Sequence, residues 1–292
     1  MHAVWQAKRA RAHFEIRRSL DLSEPQALRA FLDHHGLSAK KSLGQHFLCS
    51  KRASESIVGA AEGCESILEI GPGPGILTSA LVNRYSQVHA IEIDERMKEA
   101  LADSSPGAQI HWGDALTIDY RSILSQMKKP IGLISNMPYY ITGPLLERIA
   151  EVRDEIAVAV LMMQREVAQK ILAEPGNRDR GSISVFLQSQ FEIRSVCVVP
   201  GGAFIPPPKV DSQVLKLTPR PNAFQMDFTI VRAAFKQPRK TLLNNLLAAN
   251  IGEKAELESA IESLGLDVRI RPQIPDLEQW EQLSAMLARA RN

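Results

Sequence analysis

Asn136-Met137-Pro138-Tyr139 directly follows the apolar run 131–134, and these residue types in this order suit the holding of a planar amine. The exocyclic amine of a nucleobase is a poor nucleophile because its lone pair is delocalised into the ring. An Asn side-chain oxygen and a backbone carbonyl held beside a proline, which has no N–H to compete, can accept both amine hydrogens and draw the nitrogen toward tetrahedral geometry. The Tyr ring adds a face on which an unstacked base can lie. The same four residues also make an ordinary turn after a buried strand. Alone, the segment leaves adenine, cytosine and a plain turn open.

A second group of residues lies upstream. The run Ser66-Ile67-Leu68-Glu69-Ile70 enters Gly71-Pro72-Gly73-Pro74-Gly75 and then a helical pattern beginning at Ile76. Glycines at alternate positions let a backbone turn sharply and approach a ligand closely. A dinucleotide-binding turn, G-x-G-x-x-G, is related. Here the third glycine comes one residue early, and two prolines remove N–H donors that a pyrophosphate needs. Glu69 disfavours a phosphate as well, but suits the cationic, amine-bearing methionine part of S-adenosylmethionine. Glu92 ends the next strand-like run, seventeen residues after Gly75, where a carboxylate can accept both ribose hydroxyls. Asp94 is the alternative, or a cap for the following helix. After the third run, Asp114 in Gly113-Asp114-Ala115 stands to accept an adenine amine, or serves as a turn residue.

These groups need elements that bring strand ends together. Strand-like runs at 66–70, 88–93, 109–112, 131–135 and 156–163 alternate with helical patterns, which predicts an α/β fold with a parallel sheet flanked by helices. In such sheets the carboxyl ends of the strands converge on one crevice. Two later runs, 191–198 and 213–218, are expected to pair antiparallel at the sheet edge. Composition shifts at Pro219-Arg220-Pro221-Asn222, beyond which helix-period segments at 242–249, 255–264 and 277–287 predict a small all-helical domain. The expected division is a basic extension over 1–22, a Rossmann-like domain over 23–220 and a helical domain over 221–292.

A chain of 292 residues, 45% hydrophobic, can build one substantial core and a second small one. Its longest apolar run, 156–163, is far short of the roughly 18 residues of a membrane span. Three cysteines, Cys49, Cys64 and Cys197, stand far apart in no zinc-type spacing, and a reducing cytoplasm with no metal fits them. The formal charge of +2 is too small to identify a nucleic-acid partner. The first 22 residues carry Lys8, Arg9, Arg11, Arg17 and Arg18, interleaved with Trp5 and Phe14. A solvated extension, an RNA-touching arm and an organellar targeting segment are the three readings.

From about Leu20 to the C-terminus the chain resembles the small-subunit ribosomal RNA adenine N6-dimethyltransferase family. Four blocks carry the resemblance. The first is Lys40-Lys41-Ser42-Leu43-Gly44-Gln45-His46-Phe47-Leu48, in which Gln45, His46 and Leu48 match positions that close over the cofactor, His46 standing where the family often has Asn. The second is the Glu69 to Gly75 turn with Gly71 and Gly73. The third is Asn136-Met137-Pro138-Tyr139, with Met137 in place of the usual Leu, a volume-conserving exchange. The fourth is Phe204-Ile205-Pro206-Pro207-Pro208-Lys209-Val210-Asp211-Ser212, whose Phe the resemblance sets against the target base opposite the Tyr. Gly181-Ser182-Ile183-Ser184-Val185 looks like the segment lining the family's target pocket. Arg239-Lys240-Thr241-Leu242-Leu243 resembles the basic start of its C-terminal domain, with Arg239 and Lys240 as RNA contacts or simply a solvated helix start; Pro238 and Leu243 stand where relatives often carry Arg.

The resemblance implies a class I S-adenosylmethionine-dependent methyltransferase that dimethylates N6 of two adjacent adenosines near the 3′ end of 16S rRNA in the small ribosomal subunit; a monomer is expected, in the cytoplasm that the cysteines suggest. Asn136, Pro138, Tyr139 and Phe204 would form the target site; Gln45, His46, Leu48, Glu69, Gly71, Gly73, Glu92, Asp114 and Asn136 the cofactor site. Competing expectations are a large-subunit rRNA methyltransferase of the macrolide-resistance type and an RNA-binding ribosome assembly factor with secondary catalysis. A nicotinamide-dependent dehydrogenase has the wrong glycine spacing and leaves Asn136 to Tyr139 unexplained.

Overall fold

The structure, a computed structural model, describes residues 21–289, so the basic residues 8–18 of the expected extension lie outside it. Strands β1 (Phe47–Leu48), β2 (Ser66–Ile70), β3 (Gln87–Glu92), β4 (Ala108–Trp112), β5 (Ile131–Asn136), β6 (Val158–Gln164), β7 (Phe191–Val199), β8 (Phe204–Ile205) and β9 (Ser212–Pro219) make two sheets. Seven strands form the large one in the order β4-β3-β2-β5-β6-β9-β7; β1 and β8 form the small one.

Burial explains why the central strands read as unbroken apolar runs. Every residue of β2 is buried, and in β5 and β6 all but the last. Strands covered on both faces are what a helix-flanked parallel sheet requires. Pairing is parallel from β4 through β6, with Ile70 opposite Ile91 of β3 on one side and Ser135 of β5 on the other. Ile57, Val58, Leu77 and Leu81, from the helices Lys51–Ala60 and Ile76–Val82, pack with Ile67, Val88, Ile134 and Val160 of the sheet. Each such side chain contributes about 1.5–3 kcal/mol when fully buried.

Because β2 has β3 on one side and β5 on the other, the direction of winding reverses there. Loops leaving the carboxyl ends of β2 and β5 diverge and open a crevice between them. The two late strands adjoin at the far edge, as the sequence leads one to expect, with β7 outermost. The pairing of β1 with β8 was not expected. It sets Phe47 opposite Ile205 and Leu48 opposite Phe204, so the segment ahead of β2 is tied to a block more than 150 residues later.

Two compact units result, and they divide the chain differently from the expected boundaries. Among the described residues, one gathers 21–165 together with Ser195–Lys216; the other holds Glu166–Arg194 and 217–289. Residues 166–194 thus group with the C-terminal helices rather than with the Rossmann-like part. The reason is packing: Val185 is buried among Ile230, Leu242, Leu257 and Trp280, and the Arg180 guanidinium donates to the carbonyls of Gln273 and Pro275. At the other end, Leu22 is buried with Leu28, Phe31 and Leu32, so the expected 1–22 extension ends before it. The second unit contains the helices Phe228–Ala234, Leu242–Ala248, Lys254–Ser263 and Leu277–Arg289. Thr241 caps the second of these by accepting the Asn244 N–H.

Candidate active site

The crevice at the β2/β5 reversal is a cleft partly continuous with solvent. Its lining brings together Gln45, His46, Leu48, Glu69, Gly71, Gly73, Glu92, Asp114, Asn136, Pro138 and Tyr139. These residues come from the segment before β1 and from the ends of β2, β3, β4 and β5.

The glycine turn is held in place by its own N–H groups. Gly71, Gly73 and Gly75 all have positive φ, which side chains rarely tolerate. At Gly75, with φ 94°, a Cβ would also fall 2.1 Å from the Ser104 Oγ. Gly71 N–H donates to the Ile91 carbonyl, Gly73 N–H to Glu92 Oε2 at 2.9 Å, and Gly75 N–H to the Pro72 carbonyl. Pro72 and Pro74 have none. No N–H of the 71–75 turn is left for a phosphate. Three carboxylates, Glu69, Glu92 and Asp114, line the cleft, and no Lys or Arg does. The site rejects a pyrophosphate and fits a ligand carrying positive charge and hydroxyl donors.

Glu69 makes that fit specific. It is 1% exposed, its Oε2 has no hydrogen-bond partner among the described residues, and burial pushes its pKa up to about 8, opposed by the nearby Thr78 hydroxyl and helped by the Glu92 carboxylate. A buried carboxyl oxygen with no partner is costly unless a ligand donor meets it. The amine of S-adenosylmethionine is such a donor. Glu92 accepts from Gly73 through one oxygen and from the Asp94 N–H, at 2.7 Å, through the other. Burial raises its pKa too, while these backbone donors oppose the shift. A carboxylate offers about four acceptor positions, so room for ribose hydroxyls remains. Asp114 accepts the Leu116 N–H at 2.8 Å and still faces the cleft. Asp94 does not line the cleft; it starts the short turn Glu95–Met97 and is held down to about 2 by hydrogen bonds from Arg96 and, secondarily, Gln45.

At the end of β5, Asn136 Nδ2 donates to the His46 carbonyl at 3.1 Å. A carbonyl cannot donate, so this contact fixes which way round the amide lies, and Oδ1 is left without a protein partner among the described residues. The Pro138 carbonyl is less free than expected, since it accepts the Ile141 N–H at 3.2 Å and the Thr142 hydroxyl at 3.3 Å. The Tyr139 hydroxyl bonds the Ser212 hydroxyl at 2.8 Å. Burial raises the Tyr139 pKa, so the phenol stays neutral.

The expected sandwich of Tyr139 with Phe204 is not assembled. Phe204 is 2% exposed, belongs to the sheet core beside Leu48 and does not line the cleft. The ring stacked on Tyr139 is instead that of His46, at 5.5 Å between centroids and 28° between planes. His46 Nδ1 donates to the Pro206 carbonyl at 2.8 Å, which places the ring proton on that nitrogen. Residues 181–185 start the helix Ser182–Gln190, and Ser184 and Val185 are buried in the second unit. Arg239 and Lys240 lie exposed in the same second unit, just ahead of the helix Leu242–Ala248.

Sequence reasoning missed three contributors. Tyr140 and Ile93 are exposed apolar residues on the cleft wall, suited to lie against a flat ring. Ser212 holds the Tyr139 hydroxyl. Each adjoins or ends a quoted motif, which was the available signal.

Comparison with known proteins agrees with this geometry. The sequence profile of the family described as "Ribosomal RNA adenine dimethylase" matches residues 36–284. The "Ribosomal RNA small subunit methyltransferase A" of Natranaerobius thermophilus is 36% identical, covering 90% of this chain and 96% of the relative. That of Geobacillus thermodenitrificans is 37% identical over 91% of this chain and 97% of its own. Among solved structures, a dimethyladenosine transferase from Plasmodium falciparum superposes with a TM-score of 0.70 at 26% identity, covering 84% of this chain and 98% of that one. The 23S rRNA methyltransferase ErmE gives 0.61 at 26% identity, covering 83% and 99%. The fold is that of the class I S-adenosylmethionine-dependent methyltransferases, and the chain belongs to the ribosomal RNA adenine dimethylase family.

Proposed function

We propose that this chain transfers methyl groups to N6 of two adjacent adenosines near the 3′ end of 16S rRNA, giving N6,N6-dimethyladenosine during small-subunit biogenesis. The observation that carries the reading is the fixed amide of Asn136, whose Oδ1 has no protein partner among the described residues, beside a cleft that those residues line with carboxyl groups and no Lys or Arg. S-adenosylmethionine, when bound, supplies an electrophilic methyl group on its sulfonium. Glu69 would receive the cofactor's amine, Glu92 its ribose and Asp114 its adenine, with Gln45, His46 and Leu48, which share the same cleft, covering them.

On the acceptor side, Asn136 Oδ1 takes one hydrogen of the adenosine amine and a backbone carbonyl near Pro138 the other, localising the nitrogen lone pair; the Pro138 oxygen can do so when the Thr142 hydroxyl turns to the Tyr139 carbonyl, also 3.3 Å away. Tyr139, its hydroxyl tied to Ser212, offers a ring face to the unstacked base. The nitrogen sheds its proton only after becoming cationic, so no strong base is required. Catalysis is positioning and electrostatics. Arg239 and Lys240 contact RNA phosphates, each adding a salt-sensitive increment to affinity. The protein works in the cytoplasm as a monomer.

The similarity to ErmE makes large-subunit RNA the alternative acceptor to test. With methyl-labelled S-adenosylmethionine and subunits from unmethylated cells, label is expected in small-subunit RNA. Label confined to large-subunit RNA would assign the chain to the other acceptor, and binding without label would make it an assembly factor.

A further inference from the structure

We propose that Asp94 is a positioning residue for methyl transfer, acting through Gln45 as a latch that holds residues 38–48 across the cofactor cleft. The side chain touches nothing in the cleft; it is 4% exposed and absent from the lining, whereas Gln45 is part of it. Asp94 Oδ2 accepts the Gln45 Nε2–H at 3.0 Å, and Gln45 Oε1 in turn accepts the Lys40 N–H at 2.9 Å. Lys40 Nζ lies 3.7 Å from Asp94 Oδ1. Arg96 grips the same carboxylate with two nitrogens, at 2.9 and 2.6 Å, and reaches on to the Ser38 carbonyl at 3.3 Å. One buried carboxylate therefore gathers both ends of the 38–45 segment and fixes a side chain of the cleft wall.

The arrangement separates this role from the neighbouring ribose site. Asp94 meets Glu92 through its backbone N–H, which donates to Glu92 Oε1, while its carboxylate charge adds a smaller upward push on the Glu92 pKa. Replacing the side chain leaves that bond in place. An ordinary helix cap is the competing role, but the capping contact to the Arg96 N–H is long, at 3.4 Å, and a cap has no use for Gln45. A charge-assisted hydrogen bond is stronger than a neutral one, and its loss weakens what it positions by roughly tenfold or more.

The test measures S-adenosylmethionine affinity of the full chain by calorimetry, alongside KM and kcat. D94A should weaken binding roughly tenfold and Q45A, which also loses a side chain of the cleft wall, at least as much, while the double variant should bind no worse than Q45A, because Asp94 acts through Gln45. For D94A the rise appears in KM for the cofactor, with kcat at saturation within about twofold of wild type. D94S keeps a capping hydroxyl but cannot hold Gln45 and Arg96 together, so it should behave like D94A. Recovery of wild-type affinity in D94S would reduce Asp94 to a cap and overturn the proposal. So would fully additive losses in the double variant, or a lowered melting temperature with unchanged affinity. The proposal rests on the cleft holding S-adenosylmethionine; a wild-type chain that fails to bind it would overturn that reading first.

Discussion

Asn136→Ala is expected to lower kcat by at least about 10²-fold while S-adenosylmethionine affinity changes little, the size seen when one preorganised acceptor or donor at a reacting centre is removed. The amide sits at the end of β5, its Nδ2 held by the His46 carbonyl and its Oδ1 unpaired. Alanine removes the acceptor without disturbing the strand, because the pairing of β5 with β2 and β6 is made by backbone groups. Single-turnover kinetics and calorimetry on one preparation check both halves of the prediction. Unchanged turnover would remove the amine-holding argument; a parallel loss of cofactor affinity would move Asn136 to the cofactor's side of the cleft. Asn136→Asp would be informative as well, since it keeps an acceptor but gives up the donor that fixes its orientation.

The second large effect concerns Glu69 and pH. In the folded protein this carboxyl holds its proton up to about 8, against 4.5 for an ordinary Glu, chiefly because it is buried. The unfolded chain therefore binds fewer protons than the folded one between these values, and stability contributed at Glu69 is present in full below 4.5 and lost as pH rises toward 8. Cofactor binding runs the other way: a cationic amine favours the carboxylate, so one proton leaves when the ligand enters below pH 8. Affinity should rise about tenfold per pH unit up to that point and then level off. Glu69→Gln should abolish the slope, flatten the falling stability of the ligand-free protein and weaken binding above pH 8 roughly ten- to a hundredfold. Calorimetry in buffers of different ionisation enthalpy reads the proton directly. An unchanged pH slope in the Gln variant would place the titrating group elsewhere.

Features encoded by neighbouring residues were legible in the sequence. The Glu69 to Gly75 turn, Glu92, Asp114 and the Asn136 to Tyr139 segment each follow a recognisable apolar strand, and a parallel sheet must bring such ends to one edge. Cleft and lining follow from that rule. What escaped depends on contacts between distant segments that no local pattern marks. β1 and β8 are two residues long, too short for alternation to show, and their pairing carries Phe204 into the core rather than over Tyr139. His46 and Pro206 meet across 160 positions, Gln45 and Asp94 across 49. Residues 166–194 join the second unit through Val185 packing with Trp280 and Arg180 donating to the Gln273 and Pro275 carbonyls, contacts across some ninety positions. Asp94, weighed as a ribose acceptor or a cap, gains its interest from Gln45, a partner that sequence spacing could not supply.

The central claim is that this cleft delivers methyl groups to an adenosine amine held by Asn136. Nucleoside analysis of small-subunit rRNA tests it most directly: unmethylated subunits are incubated with the protein and S-adenosylmethionine, the RNA is digested, and the products are separated and weighed. N6,N6-dimethyladenosine at two adjacent positions, lost with Asn136→Ala, is the result expected. Methyl groups on another adenine nitrogen, on ribose or on a different base would contradict it.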